Sequence, residues 1–206
     1  MSREIVRYEP GIRVAHWLVA ITFMLAALSG LAFFHPSLFW FTNLFGGGTW
    51  TRILHPFIGV FMAVVFFLGL AARVWSHNRM TANDRKWLGQ WRDVLDGNED
   101  KLPEVGKYNG GQKMMFWVTV WSILILLVSG VLFWRPWFAH NFPVEVHRVA
   151  VLLHAVAATV VILSTIVHVY AAIWVKGTFR AMMRGTVTEH WARKHHAAWH
   201  REVTRS

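Results

Sequence analysis

Residues 149–175 read VAVLLHAVAATVVILSTIVHVYAAIWV, a run without Asp, Glu, Lys or Arg that nonetheless carries two histidines, His154 and His168. At ~1.5 Å rise per residue, about 20 apolar residues cross the hydrocarbon core of a bilayer, so this run can span one as a helix. An ionisable side chain inside such a span is costly to keep there and marks a functional site by default. Fourteen residues of helix separate the two histidines. That spacing carries the second imidazole ~21 Å along the axis and returns it to within ~40° of the first, so one helix face can serve two sites at different depths.

Three more charge-poor stretches are long enough to span: Val14 to about Phe34, Ile53 to Ala72, and Met114 to Trp134. The expected fold is therefore an all-α integral membrane protein, a bundle of four transmembrane helices in one membrane domain over residues 1–206. Its spans are expected at about 14–34, 53–72, 114–134 and 149–175, with a connection over 73–113 and a tail over 176–206. Composition agrees. Hydrophobic residues make up 55% of 206 positions and include thirteen Trp and fifteen Phe, too apolar and aromatic for an ordinary soluble domain. Residues 1–13 are polar and lack a cleavable signal pattern, so the first span is expected to act as its own insertion signal.

The net charge of +10 does not point to nucleic acid, because the basic residues lie between and after the apolar runs with no recognition motif around them. Membrane topology accounts for them. Eighteen Lys and Arg fall before the first span, between the second and third, and after the fourth, whereas only Arg52, Arg135 and Arg148 fall on the other side. This positive-inside asymmetry predicts that both termini and the central connection of a multi-pass membrane protein are cytoplasmic. Between Thr81 and Leu95, the residues Trp87, Leu88, Trp91, Val94 and Leu95 recur at helical spacing among Arg85, Lys86 and Arg92. That pattern predicts an amphipathic helix on the cytoplasmic interface. Phe179, Met182, Met183 and Trp191 repeat it more weakly in the tail, on lipid headgroups or against a partner subunit. Outside, Gly46-Gly47-Gly48 suits a flexible loop, and Pro136 and Pro143 bracket a short turn.

Cysteine is absent, which excludes disulfides, thiolate-bound iron–sulfur clusters and covalently attached c-type haem. Any redox centre must be held by His, Met or noncovalent contacts. The topology then gives each histidine a depth: His55 and His154 lie near the outer surface, His16 and His168 near the inner one. Two neutral imidazoles from facing helices at one depth make a suitable axial pair for a haem. Gly30, Gly59, Ser129 and Gly130 would leave room for the macrocycle, and Arg52, Arg135 and Arg148 are candidates to pair the propionates. His35, His77, His140, His147, His190, His195, His196 and His200 sit in loops, span ends or the tail and are read as structural or surface residues. Metal transport fits less well, since zinc and copper sites usually recruit acids, Cys or closely spaced His, and the spans hold none of these. A proton relay would place acids in the spans too.

One echo runs through the chain. Ser29-Gly30-Leu31-Ala32-Phe33-Phe34-His35-Pro36 is similar to Ser129-Gly130-Val131-Leu132-Phe133-Trp134-Arg135-Pro136, and both close outward-going spans, which points to a duplicated helix pair.

Several stretches together resemble the gamma, or cytochrome b, subunit of membrane-bound respiratory formate dehydrogenase over nearly the whole length. They are Arg52-Ile53-Leu54-His55-Pro56-Phe57, Gly106-Lys107-Tyr108-Asn109 with Gly111-Gln112-Lys113, Phe116-Trp117, Trp134-Arg135-Pro136, Trp174-Val175-Lys176-Gly177 and Lys194-His195-His196. After His196 the tail departs from the usual pattern, with Ala197 and Ala198 in place of a Pro-containing segment and His200 where Tyr is common. The resemblance implies two b haems on the same four histidines, His55 and His154 for the outer iron and His16 and His168 for the inner. It also implies a quinone, menaquinone or ubiquinone, bound near the inner haem by Asn109, Gly111 and Gln112 with His168 nearby. Its implied partners are an iron–sulfur beta subunit and a molybdenum- or tungsten-containing catalytic alpha subunit outside the membrane. Formate would be oxidised on the latter, and electrons would pass inward to quinone. The same architecture serves the cytochrome b of a membrane hydrogenase or a thiosulfate reductase, and a haem-free structural anchor is the alternative from another class.

Overall fold

The computed structural model describes residues 3–205. Four helices are long and apolar enough to cross a membrane: α1 (Pro10–Phe34), α2 (Gly48–Val74), α5 (Gly110–Leu132) and α6 (Val144–Trp174). Between them lie α3 (Ala82–Gly89) and α4 (Trp91–Leu95), and the tail folds as α7 (Thr178–Arg184), α8 (Glu189–His195) and α9 (Ala197–Arg205). Only 11% to 22% of each span's most apolar window is buried, so most of its apolar side chains face outward. Surface of that kind is stable only against lipid, and a helix is the structure that satisfies its own backbone there. The spans start a few residues before the charge-free runs do, because the helical hydrogen bonding continues through the interface past Arg13, Arg52, Lys113 and Arg148.

The contacts divide the chain into two compact units. One comprises residues 14–71 and 118–167 and holds the larger part of all four spans. Small and β-branched residues let its helices approach: Ala32, Ala63, Ala150, Ala157 and Val161 are buried, and Ile123 is fully enclosed. In α2 the turn over Val65–Ala71 widens to a π-helix, where Gly69 leaves its backbone close to the Ala15 side chain of α1. Any Cβ there would stand 3.4 Å from that of Ala15.

The other unit comprises residues 3–13, 72–117 and 168–205. Here one short strand pairing joins the helices: β1 (Glu4–Val6) pairs antiparallel with β2 (Thr186–Thr188) in the register Glu4↔Thr188, Ile5↔Val187 and Val6↔Thr186. Three residues per strand are too few for a legible period of two. Gly185, at φ 85°, ends α7 in the left-handed conformation and accepts from the amides of Arg7 and Tyr8. A Cβ at this position would stand 2.8 Å from the Tyr8 carbonyl, so only glycine closes the turn without strain. Arg13 donates to the Met182 and Met183 carbonyls at the end of α7, where a cation is favoured by the exposed C=O groups.

The amphipathic segment over 81–95 is not one helix but two, broken at Gln90 after Gly89. Its start is a capping box: the Asp84 amide donates to the Thr81 hydroxyl, and the Asp84 carboxylate accepts from the Thr81 amide. Asp84 Oδ2 also accepts from Lys113 Nζ on α5 at 2.7 Å, an ion pair with both partners buried. Trp117 of α5 donates to the Asn78 carbonyl, and its ring meets Trp75 edge-on at 4.9 Å.

Arg7 holds the two ends and the central connection together. It is 2% exposed, donates to the Lys107 carbonyl at 2.7 Å and to His196 Nε2 at 3.0 Å, and lies over the rings of Tyr8, Trp191 and Trp199. His196 Nδ1 is 2.7 Å from the Gly106 carbonyl, which can only accept, so the ring is neutral with its proton on Nδ1. Burial, reinforced by the Arg7 charge, pushes its pKa down to about 3. The same two causes lower Lys107.

Candidate functional site

In the unit that holds the larger part of the spans, α2 brings His55 and α6 brings His154 to one place. Their ring centroids are 6.2 Å apart, with the planes inclined at 64°. Each histidine is backed by a Ser-Gly step on a neighbouring span. Ser29 of α1 lies 2.8 Å from His55 Nδ1, and Ser129 of α5 lies 3.0 Å from His154 Nδ1. The adjoining glycines face the rings. A Cβ on Gly30 would stand 3.2 Å from His55 Cε1, and one on Gly130 would stand 3.3 Å from His154 Cε1. Gly30, Ser129 and Gly130, expected to make room for a macrocycle, thus make room first for the imidazoles. Gly59, one turn beyond His55, does have open space where a side chain would stand. Phe133 meets His154 edge-on at 5.2 Å, and Phe57 meets Trp134 at 5.1 Å.

Two histidines alone do not make a conventional metal site, and among the described residues no group of three or more His, Asp or Glu can hold an ion. A macrocyclic metal needs only two, because the ring supplies the equatorial nitrogens. An imidazole nitrogen binds a transition metal at about 2 Å, and each ring nitrogen lies about 1 Å from its centroid, so two axial imidazoles set their centroids about 6 Å apart. The observed separation matches that requirement.

His147, one heptad before His154, is engaged elsewhere. Its Nε2 lies 2.9 Å from the Ala139 carbonyl in the turn between α5 and α6. Arg52 lies over the Phe33 ring at 5.9 Å, and Arg52, Arg135 and Arg148 are all exposed. His16 is half-buried on α1, edge-on to Trp17. His168 lies on the last part of α6, which belongs to the other unit.

That other unit also carries the Asn-Gly-Gly-Gln turn. Asn109 and Gln112 cap α5 reciprocally: the Gln112 amide donates to Asn109 Oδ1 at 2.9 Å, and the Asn109 amide donates to Gln112 Oε1 at 3.0 Å. Both bonds use the amide oxygens, so the two side-chain NH2 groups are left as donors. Gly110 and Gly111 serve packing, since a Cβ on either would come within 3.1 Å of the Trp87 ring of α3. The helix-entry role of this turn and its donor capacity coexist.

Residues 7–185 match the family described as prokaryotic cytochrome b561. The chain belongs to the prokaryotic cytochrome b561 family. It is 46% identical over 207 residues to the cytochrome b556(Fdn) subunit of the nitrate-inducible formate dehydrogenase of Escherichia coli strain K12, covering 100% of this chain and 94% of the relative. The cytochrome b556(fdo) subunit of formate dehydrogenase from the same strain is 45% identical over 202 residues, covering 98% and 94%. The formate dehydrogenase cytochrome b556 subunit of Haemophilus influenzae is 41% identical over 199 residues, covering 97% and 83%. The likeness to formate dehydrogenase cytochrome b subunits read from the motifs therefore holds over the full chain. Membership of a cytochrome b family implies haem b, and the His55–His154 pair fits it in donor type and separation.

Proposed function

We propose that the chain is the diheme membrane-anchor subunit of a formate dehydrogenase, carrying electrons from an iron–sulfur subunit on the periplasmic side to quinone on the cytoplasmic side. The observation that carries this reading is the His55–His154 pair, two imidazoles from facing spans at the separation an axial pair requires. Haem b, when bound, supplies an iron that takes and gives single electrons at a potential set by its surroundings. His55 and His154 would hold the outer iron. His16 and His168 would hold the inner one, an assignment that rests on sequence depth and on the resemblance. The eighteen-to-three distribution of Lys and Arg supports an inner-membrane protein with both termini in the cytoplasm. The partners are the iron–sulfur subunit and a molybdenum- or tungsten-containing catalytic subunit that oxidises formate.

Reduced-minus-oxidised spectra of the purified complex, with a pyridine haemochrome assay, test this directly. About two b haems per copy of this chain are expected from two bis-histidine pairs. A folded chain without haem would leave a structural anchor in its place.

Asn109 and Gln112 sit at the entry of α5, next to the connection read as cytoplasmic, and their free NH2 groups suit a quinone carbonyl. Asn109→Asp keeps the capping oxygen but removes the donor. Formate-driven quinol formation is expected to fall about tenfold, the worth of one lost hydrogen bond to the bound ring, while formate still reduces both haems. Full quinone turnover in this variant would remove Asn109 from the site.

A further inference from the structure

The two serines behind the histidines do more than fill space. Ser29 and Ser129 are 0% and 3% exposed in the middle of apolar helices, where a hydroxyl is costly unless bonded. A serine in a span ordinarily meets that need by donating to the carbonyl four residues back, and both do so: Ser29 to Leu25 at 2.8 Å, Ser129 to Ile125 at 2.5 Å. That bond uses the only proton a hydroxyl has. The contacts of Ser29 with His55 Nδ1 at 2.8 Å and of Ser129 with His154 Nδ1 at 3.0 Å must therefore run the other way, from ring N–H to serine oxygen.

A neutral imidazole has one N–H. Once Nδ1 carries it, Nε2 is left with its lone pair, the form a metal requires. The arrangement occurs twice with matching parts. Leu25, Ala26, Ser29 and Gly30 serve His55, and Ile125, Leu126, Ser129 and Gly130 serve His154, so the sequence echo between the two spans corresponds to two copies of one histidine seat.

We propose that Ser29 and Ser129 are positioning residues for the outer iron: each fixes its histidine's proton on Nδ1, presents Nε2 and lowers the potential at which that site accepts an electron. The inference rests on reading His55 and His154 as axial ligands. The direction follows from ligand basicity. An acceptor on Nδ1–H makes the imidazole a stronger donor, which favours the oxidised iron. Removing the acceptor raises the midpoint.

The test is a redox titration of the whole complex in membranes, following the optical bands and the low-spin electron paramagnetic resonance signal of each haem. Ser29→Ala and Ser129→Ala are each expected to shift the outer haem's midpoint upward and alter its signal, with the inner haem unmoved. Ser29→Thr, which keeps the hydroxyl, is expected to restore the native midpoint. If Ser29→Ala loses the outer haem while Ser29→Thr keeps it, the hydroxyl seats the ligand, and the proposal stands. Unchanged midpoint and signal in both alanine variants at full haem content would overturn it, since the hydroxyls would then have no part in setting the ligands. Loss of haem in the alanine and threonine variants alike would also overturn it, because side-chain volume rather than the hydroxyl would be at issue. A wild-type complex without a bis-histidine signal would instead remove the ligand reading itself.

Discussion

Replacing His55 with alanine is expected to remove one haem from the purified complex and leave the other, and replacing His154 is expected to remove the same one. The haem content should fall from about two to about one per chain in either variant, because an iron that needs two axial imidazoles is not held by one. Loss of a hydrogen-bonding partner behind a ligand costs about 10–100-fold in metal affinity, so loss of the ligand itself costs more. Neighbouring histidines do not obscure the result. His147 is bonded to the Ala139 carbonyl, so His147→Ala serves as a control that keeps both haems. His16→Ala and His168→Ala are expected to remove the remaining haem, identified by its own midpoint. If His55→Ala and His16→Ala removed the same haem, the depths assigned from the positive-inside pattern would be wrong.

The parts of this molecule legible in the sequence are those governed by long-range periodicity and by lipid. Four charge-free runs give four helices because a bilayer forces the backbone to satisfy itself, and the meeting of His55 with His154 follows from counting residues along the two spans. What was not legible depends on contacts between distant residues. His196 looks like one more tail histidine, yet it is buried between the Gly106 carbonyl and Arg7, 90 and 189 residues away. Arg7 itself reads as a positive-inside charge, and nothing in its neighbours predicts the three aromatic rings around it. The role of Ser29 and Ser129 was half visible: the echo around them was there to read, but a serine's proton direction depends on which atom faces it. The break at Gln90 escaped for another reason. Apolar spacing over 81–95 continues through it, so the pattern carries no mark of the break.

Lys113→Ala should be the most damaging single change outside the spans' histidines. Lys113 is 7% exposed and Asp84 2% exposed, with Nζ donating to Asp84 Oδ2 at 2.7 Å and to the Arg79 carbonyl at 3.1 Å. Removing one partner of a buried pair leaves the other charge uncompensated, at about 3–5 kcal/mol. Only the Thr81 amide and hydroxyl would remain on the carboxylate. The double change D84N/K113M, which removes both charges, should cost less than Lys113→Ala alone, giving a measurable coupling. The pH dependence should also weaken. Burial pushes the Asp84 pKa up, but the hydrogen bonds from Lys113 and Thr81 outweigh it, so the net position is below the usual carboxylate value. A lowered carboxylate pKa stabilises the fold above its unfolded value, about 3.9, and that stability is lost as pH falls through the lower folded value. Without Lys113 only the Thr81 bonds oppose burial and the pKa rises, so the variant should lose less stability on acidification than the wild type does. Protease cleavage of the connection over residues 73–113, measured against pH in detergent, reads both slopes. Parallel slopes in wild type and variant would mean that Asp84 is not held by Lys113.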